Sequence, residues 1–177
     1  HFKVKNSIYK TVIILLVCFF YNQPLKAQTY FIDFKFILNE SSAGKKANQI
    51  LNNEFKQGIK KLKESEKKLQ LEEKEIIQQK KVLSPEDYKE KITKLRKKVS
   101  NLQKDRNTIL ESISKKRSNA RKQLLEALNP IVKNYMTENN IKIVLDKKSI
   151  LLADENLNIT NNIMNILNKQ LKSINLK

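Results

Sequence analysis

His1 and Cys18 are the only histidine and the only cysteine in this 177-residue chain, and both lie in its first 27 residues. Those residues read as an export signal. HFKVKNSIYK carries Lys3, Lys5 and Lys10 and no acid, and the run from Thr11 to Tyr21 is apolar but too short to span a bilayer. A break at Pro24 follows, and Ala27 fits as the last residue before cleavage. Once residues 1–27 are removed, neither imidazole nor thiol remains. Cys/His zinc sites, thiol nucleophiles, Ser-His triads and disulfides are then excluded together. Asp, Glu, Lys and Tyr are left to act, and no acid–base pair among them stands out. The chain reads as a non-enzyme, with no catalytic residue, metal ligand or cofactor to assign.

Its chemistry is therefore that of charge. Thirty-six Lys and Arg stand against 18 Asp and Glu, a formal net charge of +18, and the signal removes four lysines and no acid. Such a balance favours acidic partners or anionic surfaces, although a chain so rich in Lys, Asn and Ile also carries a compositional bias. A basic nucleic-acid-binding protein is one alternative reading. Export removes the chain from nucleic acid, and its basic residues alternate with Glu without forming a stripe set among aromatic platforms, so nucleic acid is not expected as a partner. A structural coiled-coil envelope protein, tethered by an uncleaved N-terminal segment, is another alternative.

Long helices must position these charges, because Gly totals 2 and Pro 3 while Lys, Glu, Gln and Leu abound. Phe55, Leu62, Leu69, Ile76 and Leu83 recur every seven residues, beside a companion stripe that is wet at Glu66, Glu73 and Lys80. Ser84-Pro85-Glu86-Asp87 stops that helix and caps the next, with Ser84 as N-cap and Pro85 in the first turn. A second stripe then runs through Tyr88, Ile92, Leu95, Val99, Leu102, Arg106, Ile109, Ile113, Lys116 and Ala120. Folding the chain back at Ser84 sets Ile76 opposite Ile92, Leu69 opposite Val99, Leu62 opposite Arg106 and Phe55 opposite Ile113. Glu66 then falls near Arg106 and compensates its charge. The result is an antiparallel hairpin with arms about 65 Å long; one helix kinked at Pro85 is the alternative.

Both ends of the chain look different. Residues 30–36 alternate like a strand, 141–146 form a continuous apolar strand, and 150–153 (ILLA) return as a hairpin partner. The apolar face after Ala120 widens and is broken at Asn129-Pro130, and a last amphipathic helix starts near Asn158. The expected organisation is a signal peptide at 1–27, a body from 28–44 and 125–177, and an arm over 45–124 with its tip near 83–87. A body this small buries little apolar surface, so self-association is the physical remedy.

FIDFKFILNESSAGKKA (31–47), VLSPEDYKEK (82–91) and NPIVKNYMTENNIKIVLDKKSILLADENLNIT (129–160) together resemble the Skp/OmpH family of periplasmic chaperones, over essentially the whole chain after the signal. Two departures are visible: Asn140 where the family usually has Gly, and Asn158 where it has an acid. The resemblance implies a mainly α fold with a small β body, in which a long antiparallel coiled-coil hairpin projects from a β-barrel-like trimerisation body. It implies an ATP-independent periplasmic holdase that captures unfolded outer-membrane proteins in a cavity between the arms of a homotrimer, with anionic lipid or lipopolysaccharide as a further partner. Ile32, Phe34, Ile141, Ile143, Leu145 and Leu151 are then expected to serve oligomerisation. Leu83, Tyr88, Lys80, Lys81, Lys89 and Lys91, around the tip, are expected to meet clients.

Overall fold

Ser84 turns the chain back on itself. In the computed structural model, which describes residues 28–176, the first long helix runs Ser42–Gln79 and the second Pro85–Glu138. The elements in chain order are β1 (Thr29–Ile32), α1 (Phe34–Glu40), α2 (Ser42–Gln79), α3 (Pro85–Glu138), β2 (Ile143–Asp146) and α4 (Thr160–Gln170). The expected signal peptide, residues 1–27, lies outside the described residues.

The two arms pair close to the expected register. Lys116 Nζ donates to Glu54 Oε2 at 2.7 Å, Lys98 to Glu72 at 2.7 Å, and Lys91 to Gln79 Oε1 at 2.6 Å. Arg106 reaches Glu66 at 3.8 Å, as the compensation argument requires. The three ion pairs among these contacts are partly exposed and each contributes less than about 1 kcal/mol, so they fix register more than stability. Stability comes from the thin seam, where Leu62, Ile76, Leu95, Ile113 and Ala120 are buried. Gly58 lies directly under Ile109: a Cβ there would sit 3.0 Å from Ile109 Cγ2.

The strand expected over 30–36 stops at Ile32. Asp33 (φ −92°, ψ 90°) caps α1 by accepting from the Phe36 amide at 2.8 Å, and its own N–H donates to Thr160 Oγ1 at 2.9 Å. Phe34, Ile37 and Leu38 have helical spacing, which wins over the alternation of FIDFKF once the cap is in place. The segment 150–153 is not a strand in this chain either. Asp146 Oδ1 accepts from the Lys148 amide, turning 147–149 into a single 3₁₀ turn that sends the chain away from a hairpin. Instead β2 pairs parallel with β1, Thr29 opposite Ile143 through Ile32 opposite Asp146. Phe31 also bridges to Asn158, and the Ile159 amide donates to Phe31 O at 3.0 Å.

The expected break at Asn129-Pro130 is absent: α3 runs through Pro130 to Glu138. An interior proline costs a helix about 3 kcal/mol. Here Leu128 and Ile131, on either side, are both buried in the body core with Ile32, Ile37, Ile163 and Leu167, and that packing outweighs the cost. Two residues past the end of α3, Asn140 has a left-handed φ of 53°, and the Ile141 amide closes back onto Met136 O at 2.9 Å. Asparagine adopts that geometry more readily than most residues, which is why it can stand where a glycine is usual. Asn158 in turn accepts from the Thr160 amide at 3.1 Å, at the first residue of α4, so the exchanged acid leaves the helix start satisfied.

Candidate functional site: the arms and their tip

The tip is built by local hydrogen bonds. The Val82 and Leu83 amides both donate to Gln79 O at 3.0 Å, closing the end of α2. Ser84 Oγ accepts from the Asp87 amide at 3.1 Å and donates to Asp87 Oδ2 at 2.7 Å, a reciprocal cap reinforced by Pro85 in the first turn. Removing that cap with Ser84→Ala is expected to cost about 1 kcal/mol. Hydrogen exchange should then accelerate at Glu86–Tyr88 while amides at the arm roots keep their protection. Uniform acceleration along α3 would contradict a purely local role.

Around this turn the expected client-contact residues divide. Lys81 and Lys89 are exposed. Lys80 lies over the Tyr88 ring, 5.7 Å from its centroid, and Lys91 is tied to Gln79, while Leu83 and Tyr88 are half-buried in the end of the seam. Lys94 next to them pairs with Glu90, whose hydrogen bond and charge raise its pKa above the ordinary lysine value. It therefore stays cationic at any physiological pH.

Residues outside the heptad frame supply what the expected set lacks. Val82 is 82% exposed, Ile77 56% and Leu71 53%, and Leu110 is also exposed. A signal for them was present: Leu71, Ile77 and Leu110 are aliphatic side chains off the seam stripes, where a coiled coil places polar residues, and Val82 is an aliphatic side chain in the tip turn. Val99, a seam position by spacing, is exposed as well.

The charge pattern also needs correcting. Lys56, Lys60, Lys63 and Lys67 follow one another at three- and four-residue intervals on α2 and line a shallow groove of about 460 Å³ with Phe55 and Ile59, interrupted only by Glu64. Alternation with Glu along the sequence hides this stripe, because the helix period gathers residues that are not adjacent in the chain. The arms thus present a cationic surface dotted with exposed aliphatic groups, a surface for many weak contacts with an apolar, acidic chain.

In the body, Ile32 and Ile141 are buried in the protomer's own core, and Phe34 packs half-buried in the first turn of α1. Ile143 and Leu145, on β2, are exposed on one face, and Leu151 is wholly exposed. Of the residues expected to serve oligomerisation, these three remain open to a partner.

A family model described as "Outer membrane protein (OmpH-like)" matches residues 28–167. Among solved structures, the crystal structure of a candidate outer membrane chaperone (OmpH-like) from Caulobacter crescentus CB15 is similar with a TM-score of 0.78 at 16% identity, covering 86% of this chain and 90% of that one. At that identity the likeness concerns the fold. No curated protein matches the sequence.

Proposed function

Because this chain belongs to the OmpH-like family of outer membrane proteins, we propose that it is an ATP-independent holdase chaperone of the periplasm. In this reading three copies associate through their bodies, the strands joining into a barrel-like core. The hairpins then enclose a cavity in which unfolded outer-membrane proteins are kept from aggregating. The observation that carries the reading is the surface of the arms. Between body and tip the two long helices bury only a thin seam, yet Leu71, Ile77 and Leu110 on them and Val82 in the tip turn are exposed among lysines. A helix pair with no further partner gains nothing from aliphatic groups at those positions, whereas an unfolded chain offers apolar segments to cover them. Cations beside them attract acidic clients and anionic lipid head groups or lipopolysaccharide at long range. No bond is made or broken, and release needs only an acceptor that binds the client better.

The test is dilution of a urea-unfolded outer-membrane porin into buffer with and without the purified protein. Native mass spectra should show three copies holding one porin, and light scattering should fall. A protein that leaves scattering unchanged at several-fold excess is not a holdase. Capture is further expected to weaken between 50 mM and 500 mM NaCl, because the screening length falls below about 5 Å at the higher salt. The apolar part of the binding should persist.

A further inference from the structure

A cavity of about 630 Å³ opens at the root of the arms, between α1, α2, α3 and the turn after β2. Its floor is apolar, formed by Leu38, Ala47, Leu51, Ala120 and Leu124. Its rim is cationic. Lys35 comes from α1, Arg117 and Arg121 from one face of α3, and Lys147 and Lys148 from the turn after β2. The two carboxylates on the rim are already engaged: Asp33 accepts from the Phe36 amide, and Asp146 pairs with the Lys148 ammonium at 3.4 Å. Arg117 donates to Asn52 Oδ1. Lys35, Arg121 and Lys147 are exposed and have no hydrogen-bond or ion-pair partner among the described residues. Neither the arm register nor the body core uses these three charges.

An apolar floor beneath free cations fits a ligand that ends in an apolar group and an anion, and the volume is that of a site for one small ligand or one chain end. Two further features select a peptide over a hydrocarbon chain. Asn39 and Asn48 also line the cavity, exposed and joined by a long contact of 3.5 Å, so their amides can pair with a peptide backbone, which an acyl chain does not offer. Asn48, Leu51, Phe55 and Ile59 then follow at three- and four-residue intervals, so the cavity passes into the lysine-lined groove on successive turns of α2. From Ala47 to Lys67 this track is about 30 Å long, room for about nine extended residues. We infer that the arm-root cavity docks the C-terminal end of an unfolded client chain: its last apolar side chain settles on the floor, and its free α-carboxylate meets Lys35, Arg121 and Lys147. An α-carboxylate is ionised at neutral pH, and the guanidinium fork of Arg121 matches its two oxygens. The client then runs from root toward tip along α2. The inference deepens the holdase reading above and rests on it for the occupant.

The test uses the full chain and a dansyl-labelled peptide of about ten residues ending in Leu, made once with a free C-terminal carboxylate and once as the C-terminal amide. Fluorescence anisotropy should show the acid binding about tenfold more tightly than the amide, the worth of hydrogen bonds to a charged group. Arg121→Gln with Lys147→Gln should erase that preference, whereas Lys56→Gln with Lys60→Gln, in the groove, should weaken both peptides alike. Porin light scattering and native mass spectra are recorded on the same samples. Equal binding of acid and amide, with scattering still suppressed, overturns the chain-end site and leaves the holdase standing. A preference for the acid without suppression of scattering supports the site and sinks the holdase. Dodecanoate that binds through Arg121 and Lys147 while the peptide does not makes the cavity an acyl-anion site and overturns the inference. Peptide binding that requires the copies to come apart shows that a second copy covers the cavity, and overturns it as well.

Discussion

Gly44→Ala is expected to destabilise the body by roughly 3 kcal/mol, even though it places a better helix former inside a helix. Gly44 sits in the first turn of α2, where the chain has just left α1 with only Ser41 between them. A Cβ at this position would lie 2.0 Å from Leu38 O and 2.9 Å from Leu38 C, both backbone atoms that cannot swing aside. To admit a methyl group the corner must open. That strains three contacts: the Ser41 amide to Ile37 O at 3.0 Å, the Gly44 amide to Ser41 Oγ at 3.2 Å, and the Ser42 amide to Asn168 Oδ1 at 2.8 Å, which ties the corner to α4. Gly58→Ala in the same helix is the control. Its new Cβ would first meet the Ile109 side chain, at 3.0 Å. The gain in helix propensity of about 1 kcal/mol offsets the adjustment, so the net change should stay within about 1 kcal/mol. Urea unfolding of the two variants checks the contrast. Equal midpoints would show that the α1–α2 corner relaxes at little cost.

The contrast between those glycines parallels what could be read from residues alone. Local and repetitive features were legible. Seven-residue spacing and the Ser84-Pro85 cap predicted two antiparallel helices and their register, down to Glu66 beside Arg106, because a coiled-coil seam is decided by side chains a few positions apart. Features decided by long-range packing were misread. FIDFKF alternates like a strand, but Asp33 is held by Thr160, 127 residues away, and so caps a helix. Pro130 looked like a break, but Leu128 and Ile131 anchor the helix on both sides of it in the body core. ILLA has a strand's composition and no strand partner among the described residues of its own chain, and a composition does not say whether the partner is covalently attached. The basic stripe of α2 and the off-seam aliphatic groups were visible only after the helix period was applied to every residue, not to the apolar ones alone.

Those off-seam groups are where the largest functional effect is expected. Changing Leu71, Ile77 and Leu110 to Gln and Val82 to Ser removes four exposed aliphatic side chains without touching the seam. Exposed substitutions of this kind alter stability by about 0.5 kcal/mol or less each, and Gln keeps the helix propensity of Leu. Thermal unfolding should be nearly unchanged. Binding should not. Fully burying an aliphatic side chain is worth about 1.5–3 kcal/mol, and these are already partly covered, so a client can recover roughly 1 kcal/mol at each. An unfolded chain does not cover all four in every pose. Even half of the combined gain exceeds the 1.4 kcal/mol that corresponds to about tenfold in affinity. The quadruple variant is therefore expected to need at least about tenfold more protein to suppress porin aggregation, while a variant of four arm lysines to Gln should lose capture mainly at low salt. The two together distinguish the roles assigned to the surface: cations bring the client in, and aliphatic groups hold it. If the aliphatic variant captures normally at every salt concentration while the lysine variant fails, the holding energy is electrostatic, and the exposed leucines and isoleucines of the arms serve no client.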